Sequence, residues 1–160
     1  MTSAHTLQAA LIADGSSDRI VIPLLRCLLA QHLGSRPFSL DDEPIKAQGN
    51  SLKERIDSTI QSYELDLLFV HRDSENQDWE ARQREIDDAK IGAKRSVVGV
   101  VPVRMSEAWL LTSEQVIRNA VNPHSRSPLN LPTLKKIEQC DAKAVLLKAL
   151  TEAADRKSVV

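Results

Sequence analysis

Apolar positions along this chain follow two rhythms that take turns. Unbroken apolar runs appear in "TLQAALIADG", in "DLLFV" at 66–70 and in "SVVGVVPV" at 96–103. Runs of that length, apolar on both faces, read as buried strands. The first covers about 6–13 and ends at Asp14-Gly15. The run at 96–103 is the strongest and ends at Pro102. Between the strands the spacing becomes helical. Ser16 and Ser17 are good caps for a helix carrying Ile20, Leu24, Leu25, Leu28 and Leu29, with Gly34 as its stop. Pro23 lies inside that helix, so it predicts either a kink or a later start. Ser51 caps an amphipathic helix with Leu52, Ile56, Ile60 and Tyr63 on one face. Residues 77–91 form a charged surface helix with a thin stripe of Trp79, Ile86 and Ala89.

"SRPFSLDDEP" reads as loop, and a short edge strand is placed near 44–47. After Pro102 a helix starts at "SEAWLL", with Trp109 in core packing. A second begins at the capping-box spacing of Thr112 to Gln115 and runs over Val116, Ile117 and Ala120. A loop with three prolines, "NPHSRSPLNLP", leads to helices at roughly 133–139 and 142–154. The alternation of strand and helix predicts an α/β fold: a parallel sheet of about four strands flanked by helices, with extra helices at the C-terminal end. Residues 1–121 are assigned to this domain, and 122–160 to a loop and helical extension of it.

Composition agrees with that picture and narrows the chemistry. The chain of 160 residues is 42% hydrophobic but only 3% aromatic, so aliphatic side chains must fill its core. Its formal charge of −1 supplies no global field toward nucleic acid or membrane. Cys27 and Cys140 read as two reduced thiols. No apolar run approaches the ~18 residues of a membrane span, and "MTSAHTLQAALIADG" has no basic start, so the cytoplasm is expected. The end, "ADRKSVV", has no obvious final element, as expected of a piece of something longer.

In a parallel sheet, ligands sit at the carboxyl ends of the strands. Three such ends carry polar groups: Asp14 with Asp18 one turn on, His71-Arg72-Asp73-Ser74-Glu75, and Arg104-Ser106-Glu107. Carboxylates gathered from several strand ends need neutralising, which a hard divalent cation does. Asp14, Asp73 and Glu75 are the candidate ligands for Mg²⁺ or Mn²⁺. His71 shares the side of Asp73 and Glu75; it is a softer ligand, a general base or a hydrogen-bond donor. Glu107 is a further ligand or a general base. Arg104 is placed to bind phosphate or to pair with one of these acids. Lys94 and Arg95 are a local basic supply for nucleic acid. His5, His32 and His124 have no metal spacing. The absence of a Walker loop, G-x-G-x-x-G, G-x-S-x-G and a CxxC pair argues against a P-loop NTPase, a dinucleotide enzyme, an α/β hydrolase and a zinc ribbon.

"LIADGSSDRIVIPLLRCLL", "LLFVHRDSE" and "VVPVRMSEAWLL" together resemble the Toprim-like fold. They are most similar to uncharacterised bacterial Toprim-like proteins related to the nuclease domains of OLD (overcoming lysogenization defect) proteins. The resemblance covers roughly residues 7–113 and is most specific over Pro102, Arg104, Glu107, Ala108, Trp109 and Leu110. It implies metal-dependent phosphoryl transfer on DNA or RNA, as in a nuclease, within phage defence or a mobile element. It implies a first-motif acid at Asp14, where the family has glutamate, and a second acid at Asp18. The family's Asp-x-Asp falls on His71 and Asp73, and a further acid on Glu107. His71 for aspartate removes a charge from a cation site: the metal preference shifts, Glu75 compensates, or the site is degenerate. The alternative to the enzyme is therefore a degenerate binding or assembly module of a larger complex. A protein partner encoded nearby, and pairing into a homodimer, complete the expectations.

Overall fold

The computed structural model describes residues 5–74, 78–103, 106–124, 128–137 and 139–154, without the side chains of Ser16 and Ser17. The chain forms two compact units, Met1–Pro102 and Val103–Val160. The first is an α/β unit with a four-stranded parallel sheet, as the alternating pattern predicts and compatible with a Toprim-like fold. Its strands are β1 (Leu7–Ile12), β2 (Phe38–Leu40), β3 (Leu67–His71) and β4 (Ser96–Val100). Their order is β2-β1-β3-β4, and every pairing is parallel. Helices α1 (Ile22–Leu33), α2 (Leu52–Ser62) and α3 (Trp79–Ala89) make the crossovers.

The strand order contains a reversal. From β1 the chain steps outward to β2, then returns across β1 to β3 and continues to β4. With right-handed crossovers, α2 and α3 belong on one face and α1 on the other. The core agrees. Ile56 of α2 and Ile86 and Ala89 of α3 pack with Ala10, Ile12, Leu68 and Val70. Alternate residues Ala9, Leu11, Phe69 and His71 then point to the opposite face, and α1 buries Ile22, Leu25 and Leu29. Leu28, although at helical spacing, is exposed.

Local chemistry accounts for several boundaries. Residues Ser16–Val21 form a 3₁₀ turn, and the α-helix proper starts at Ile22 with Pro23 in its first turn. Of the two outcomes open for Pro23 the later start is the one realised, because a proline there forfeits no helical hydrogen bond. Gly34 ends α1 with φ of 58°. The Ser51 hydroxyl accepts from the Glu54 N–H, and the Glu54 carboxylate accepts in return from Ser51 N, a full capping box for α2. Tyr63 caps the other end and is exposed rather than part of the apolar face.

The edge strand lies at Phe38–Leu40, not near 44–47. Leu7 N–H donates to the Pro37 carbonyl and opens that ladder, and Leu40 is buried. Of the 44–47 segment only Ile45 makes a bridge, to Ile12. Pro44 before it has no N–H to contribute to a ladder. β4 stops at Val100, short of Val103, and is itself an edge strand, with Val98 exposed.

The second unit is helical: α4 (Glu107–Leu110), α5 (Glu114–Val121), α6 (Leu134–Ile137) and α7 (Ala142–Ala154). Ala108, Leu111, Ile117, Leu129, Ile137 and the small-residue face of α7 form its core. Ser113, one residue after the expected cap, accepts from Val116 N–H, while the Thr112 hydroxyl donates back to the Trp109 carbonyl. Trp109 is half-buried. Both cysteines are free. Among the described residues no helix is long and apolar enough to cross a membrane.

Leu68 is fully buried between α2 and α3. Leu68→Ala is expected to cost about 2–5 kcal/mol. It should appear in urea unfolding as a lower midpoint at unchanged slope.

Candidate functional site at the β1–β3 carboxyl ends

The reversal in strand order lies between β1 and β3, where crossovers leave in opposite directions and open a crevice at the strands' carboxyl ends. The chain places charged residues there. Asp14 follows β1, and Asp18 sits in the 3₁₀ turn, where its carboxylate accepts from Gly15 N–H at 3.1 Å. His71 is the last residue of β3, and Arg72 and Asp73 follow it. The Ser74 hydroxyl, fully buried, donates to the Pro102 carbonyl at 2.9 Å and ties the exit of β3 to the exit of β4.

His71 is completely enclosed, with a carboxylate at each ring nitrogen. Asp18 Oδ2 is 3.6 Å from Nδ1 and Asp73 Oδ1 is 3.6 Å from Nε2. Those distances exceed a hydrogen bond, so the contact is electrostatic. Three of the expected site residues thus meet, with the imidazole standing between the two acids.

Asp14 is held differently. Its Oδ1 pairs with Arg55 Nη1 at 2.9 Å and its Oδ2 with Arg72 Nε at 2.6 Å. Arg55 also donates through Nη2 to the Ala13 carbonyl at 2.6 Å. Arg72 continues to Glu85 at 2.7 Å, and Arg82 closes on the other Glu85 oxygen at 3.0 Å. The result is a ladder of alternating charge, Arg55–Asp14–Arg72–Glu85–Arg82, running from α2 across both strand ends to α3. Arg55, Arg82 and Glu85 escaped the sequence reading. Their signal was position: in a parallel α/β unit the first turns of crossover helices return to the carboxyl ends of the strands, and these three charges lie in the first two turns of α2 and α3.

Beside Asp14 lies a cleft of about 780 Å³. The segment 43–49 forms its far wall, and Asp14, Gly15, Arg19, Glu43, Lys46 and Arg55 are among its lining residues. Gly49 lets that wall lie against α2. Its φ is 138°, and a Cβ there would fall 2.8 Å from the Arg55 backbone nitrogen.

The remaining expected residues are elsewhere. Glu75 and Arg104 lie outside the described residues. Glu107 opens α4 in the second unit. Lys94 and Arg95 precede β4, so they sit at the amino ends of the strands, the end opposite Asp14 and His71. There they line a shallow depression with Asp66.

The described part of the expected metal set does not fit a shared divalent ion in this arrangement. A hard cation needs carboxylate oxygens directed at it, and both oxygens of Asp14 face guanidinium groups. Asp18 and Asp73 approach opposite nitrogens of one ring. Among the described residues no group of three or more His, Cys, Asp or Glu is arranged to hold a metal. Comparison of the chain with protein-family models, with curated proteins and with solved structures finds no match.

Two outcomes test these electrostatics. A double-mutant cycle of Asp14→Ala and Arg72→Ala, read by urea unfolding, should give a coupling energy of about 1 kcal/mol or more. Coupling near zero would mean a solvated pair. At the opposite end, Gln8 N–H donates to Asp66 at 2.9 Å and His5 Nε2 lies 3.0 Å away, which holds the Asp66 carboxyl below the ordinary aspartate value. A lowered pKa in the folded state means stability present above the ordinary aspartate range and lost as pH falls through the lowered value. Carboxyl NMR should place the Asp66 midpoint below that of an unfolded peptide, and Asp66→Asn should flatten the acid limb of the stability curve.

Proposed function

We propose that this chain is a Toprim-like domain that engages nucleic acid at the carboxyl ends of β1 and β3, as a catalytically degenerate binding or assembly module of a larger complex. The observation that carries the reading is the double pairing of Asp14. At the position where the resemblance expects the first acid of a cation site, the carboxylate is answered by Arg55 and Arg72 instead. His71, where the resemblance expects an acid, lies buried between Asp18 and Asp73. Both features supply positive or neutral groups from the protein itself at a place where a metal enzyme leaves acids open. The arginines at the strand ends suit phosphate, which guanidinium groups bind in forked geometry.

The second reading is a Mg²⁺- or Mn²⁺-dependent nuclease or other phosphoryl-transfer enzyme, acting in phage defence or a mobile element. It is favoured by the gathering of Asp14, Asp18 and Asp73 at the switch point of the sheet. It requires Asp14 to part from its arginines. When bound, such an ion would stabilise the charge that develops on phosphate oxygens.

Binding and cleavage of labelled single- and double-stranded DNA and RNA, with Mg²⁺ or Mn²⁺ and with an Asp73→Ala control, separate the two. Binding without cleavage, weakening as salt rises, is the expected result. Metal-dependent cleavage lost in Asp73→Ala replaces the first reading by the second. Failure to bind any of the four polymers removes both.

A further inference from the structure

We propose that the cleft between Asp14 and the 43–49 segment is a phosphate-monoester site that takes the terminal phosphate of a nucleotide, an inference that deepens the nucleic-acid reading above. Charge sets the class of ligand. Arg19, Lys46 and Arg55 line the cleft, and Arg72 stands directly behind Asp14. Arg72 is offset by Glu85 at 2.7 Å, so the three lining cations face two acids, Asp14 and Glu43. Their surplus of one positive charge becomes two when Glu43 gives way to the ligand, which matches one phosphate monoester carrying about −1.5 to −2 at neutral pH. An internal phosphodiester, with a single charge, leaves part of it unanswered.

The cations differ in how readily they can serve. Lys46 has no ion-pair partner among the described residues, and its exposed ammonium is the anchor for an incoming oxygen. Among the described residues Arg19 is paired only with Glu43, at 3.9 Å and with both side chains more than two-thirds exposed. Such a pair contributes little, so exchanging Glu43 for a dianion costs little. Arg55 is already committed to Asp14 and Ala13 and fixes the inner wall. The cleft volume falls in the range of about 300–1,000 Å³ typical of small-ligand sites. That leaves room for the sugar and base of one terminal nucleotide beside the phosphate.

The same phosphate could arrive on a strand end or on a free nucleotide, and the test separates these sources. Fluorescence anisotropy would compare one labelled single-stranded oligonucleotide bearing a terminal phosphate, at the 5′ or the 3′ end, with the same strand ending in hydroxyls. A nucleoside monophosphate and the parent nucleoside would serve as competitors. The expected preference for one phosphorylated end is about tenfold. It should vanish in Lys46→Glu, with Arg19→Ala partly reducing it and neither variant altering the thermal midpoint, since both side chains are exposed. The nucleoside monophosphate should compete and the nucleoside should not. Equal binding of phosphorylated and hydroxyl strands, unchanged in Lys46→Glu, overturns the cleft assignment and leaves the nucleic-acid reading standing. Binding of the monophosphate that is lost in Lys46→Glu, with no strand bound at all, supports the cleft and removes the nucleic-acid reading.

Discussion

Burial of β1 and β3 on both faces is the constraint from which the first unit follows. Ala10, Ile12, Leu68 and Val70 are buried on one side, and Ala9, Leu11 and Phe69 on the other. Two apolar faces require two helical layers, and short crossovers can reach both faces only if the chain reverses direction once along the sheet. That single reversal has a chemical consequence. It leaves β1 and β3 adjacent with their outgoing chains diverging, so the polar residues that terminate two buried strands are brought together without a covering helix.

What gathers there is largely neutralised by the protein itself. The charge ladder from Arg55 to Arg82 links α2, β1, β3 and α3 through side chains that are mostly less than half exposed. Partly buried, guanidinium-paired carboxylates interact more strongly than their solvated counterparts. The ladder therefore orients the strand exits as well as setting their charge. His71 performs a parallel task on the other side of β3. Enclosed at the strand terminus, it keeps Asp18 and Asp73 apart, where open space would leave two like charges facing each other.

The cleft stands at the edge of this arrangement, where neutralisation is least complete. Its far wall is the segment that forms only one bridge to the sheet, and it depends on the close approach of Gly49 to α2. A tighter ladder at 44–47 would close the gap. The irregularity that made this segment hard to assign is thus the feature that provides a concave surface.

Elements governed by local chemistry were legible in the chain. Apolar runs marked three of the strands, Ser51 and Gly34 marked helix ends, and the strand–helix alternation specified a parallel sheet, because each signal depends on neighbours within one turn or one pleat. Asp14, His71 and Asp73 were likewise identifiable as residues that end buried strands, with Asp18 one turn beyond Asp14. Tertiary structure decided the rest. The three-residue edge strand at Phe38–Leu40 exists because β1 offers it a ladder, and its own residues carry too little pattern to announce it. The pairing of Asp14 with Arg55 and Arg72 joins positions 41 and 58 residues apart, and no local spacing encodes which charges will meet. Lys94 and Arg95 look equivalent to any other basic pair in one dimension; the common direction of the strands puts them at the opposite end of the sheet. Sequence alone determined which residues would end the strands, since burial forces polarity to the tips. Only the packed fold decided that arginine would answer those acids, because the partner of a charge is set by which helix turn returns to which strand end.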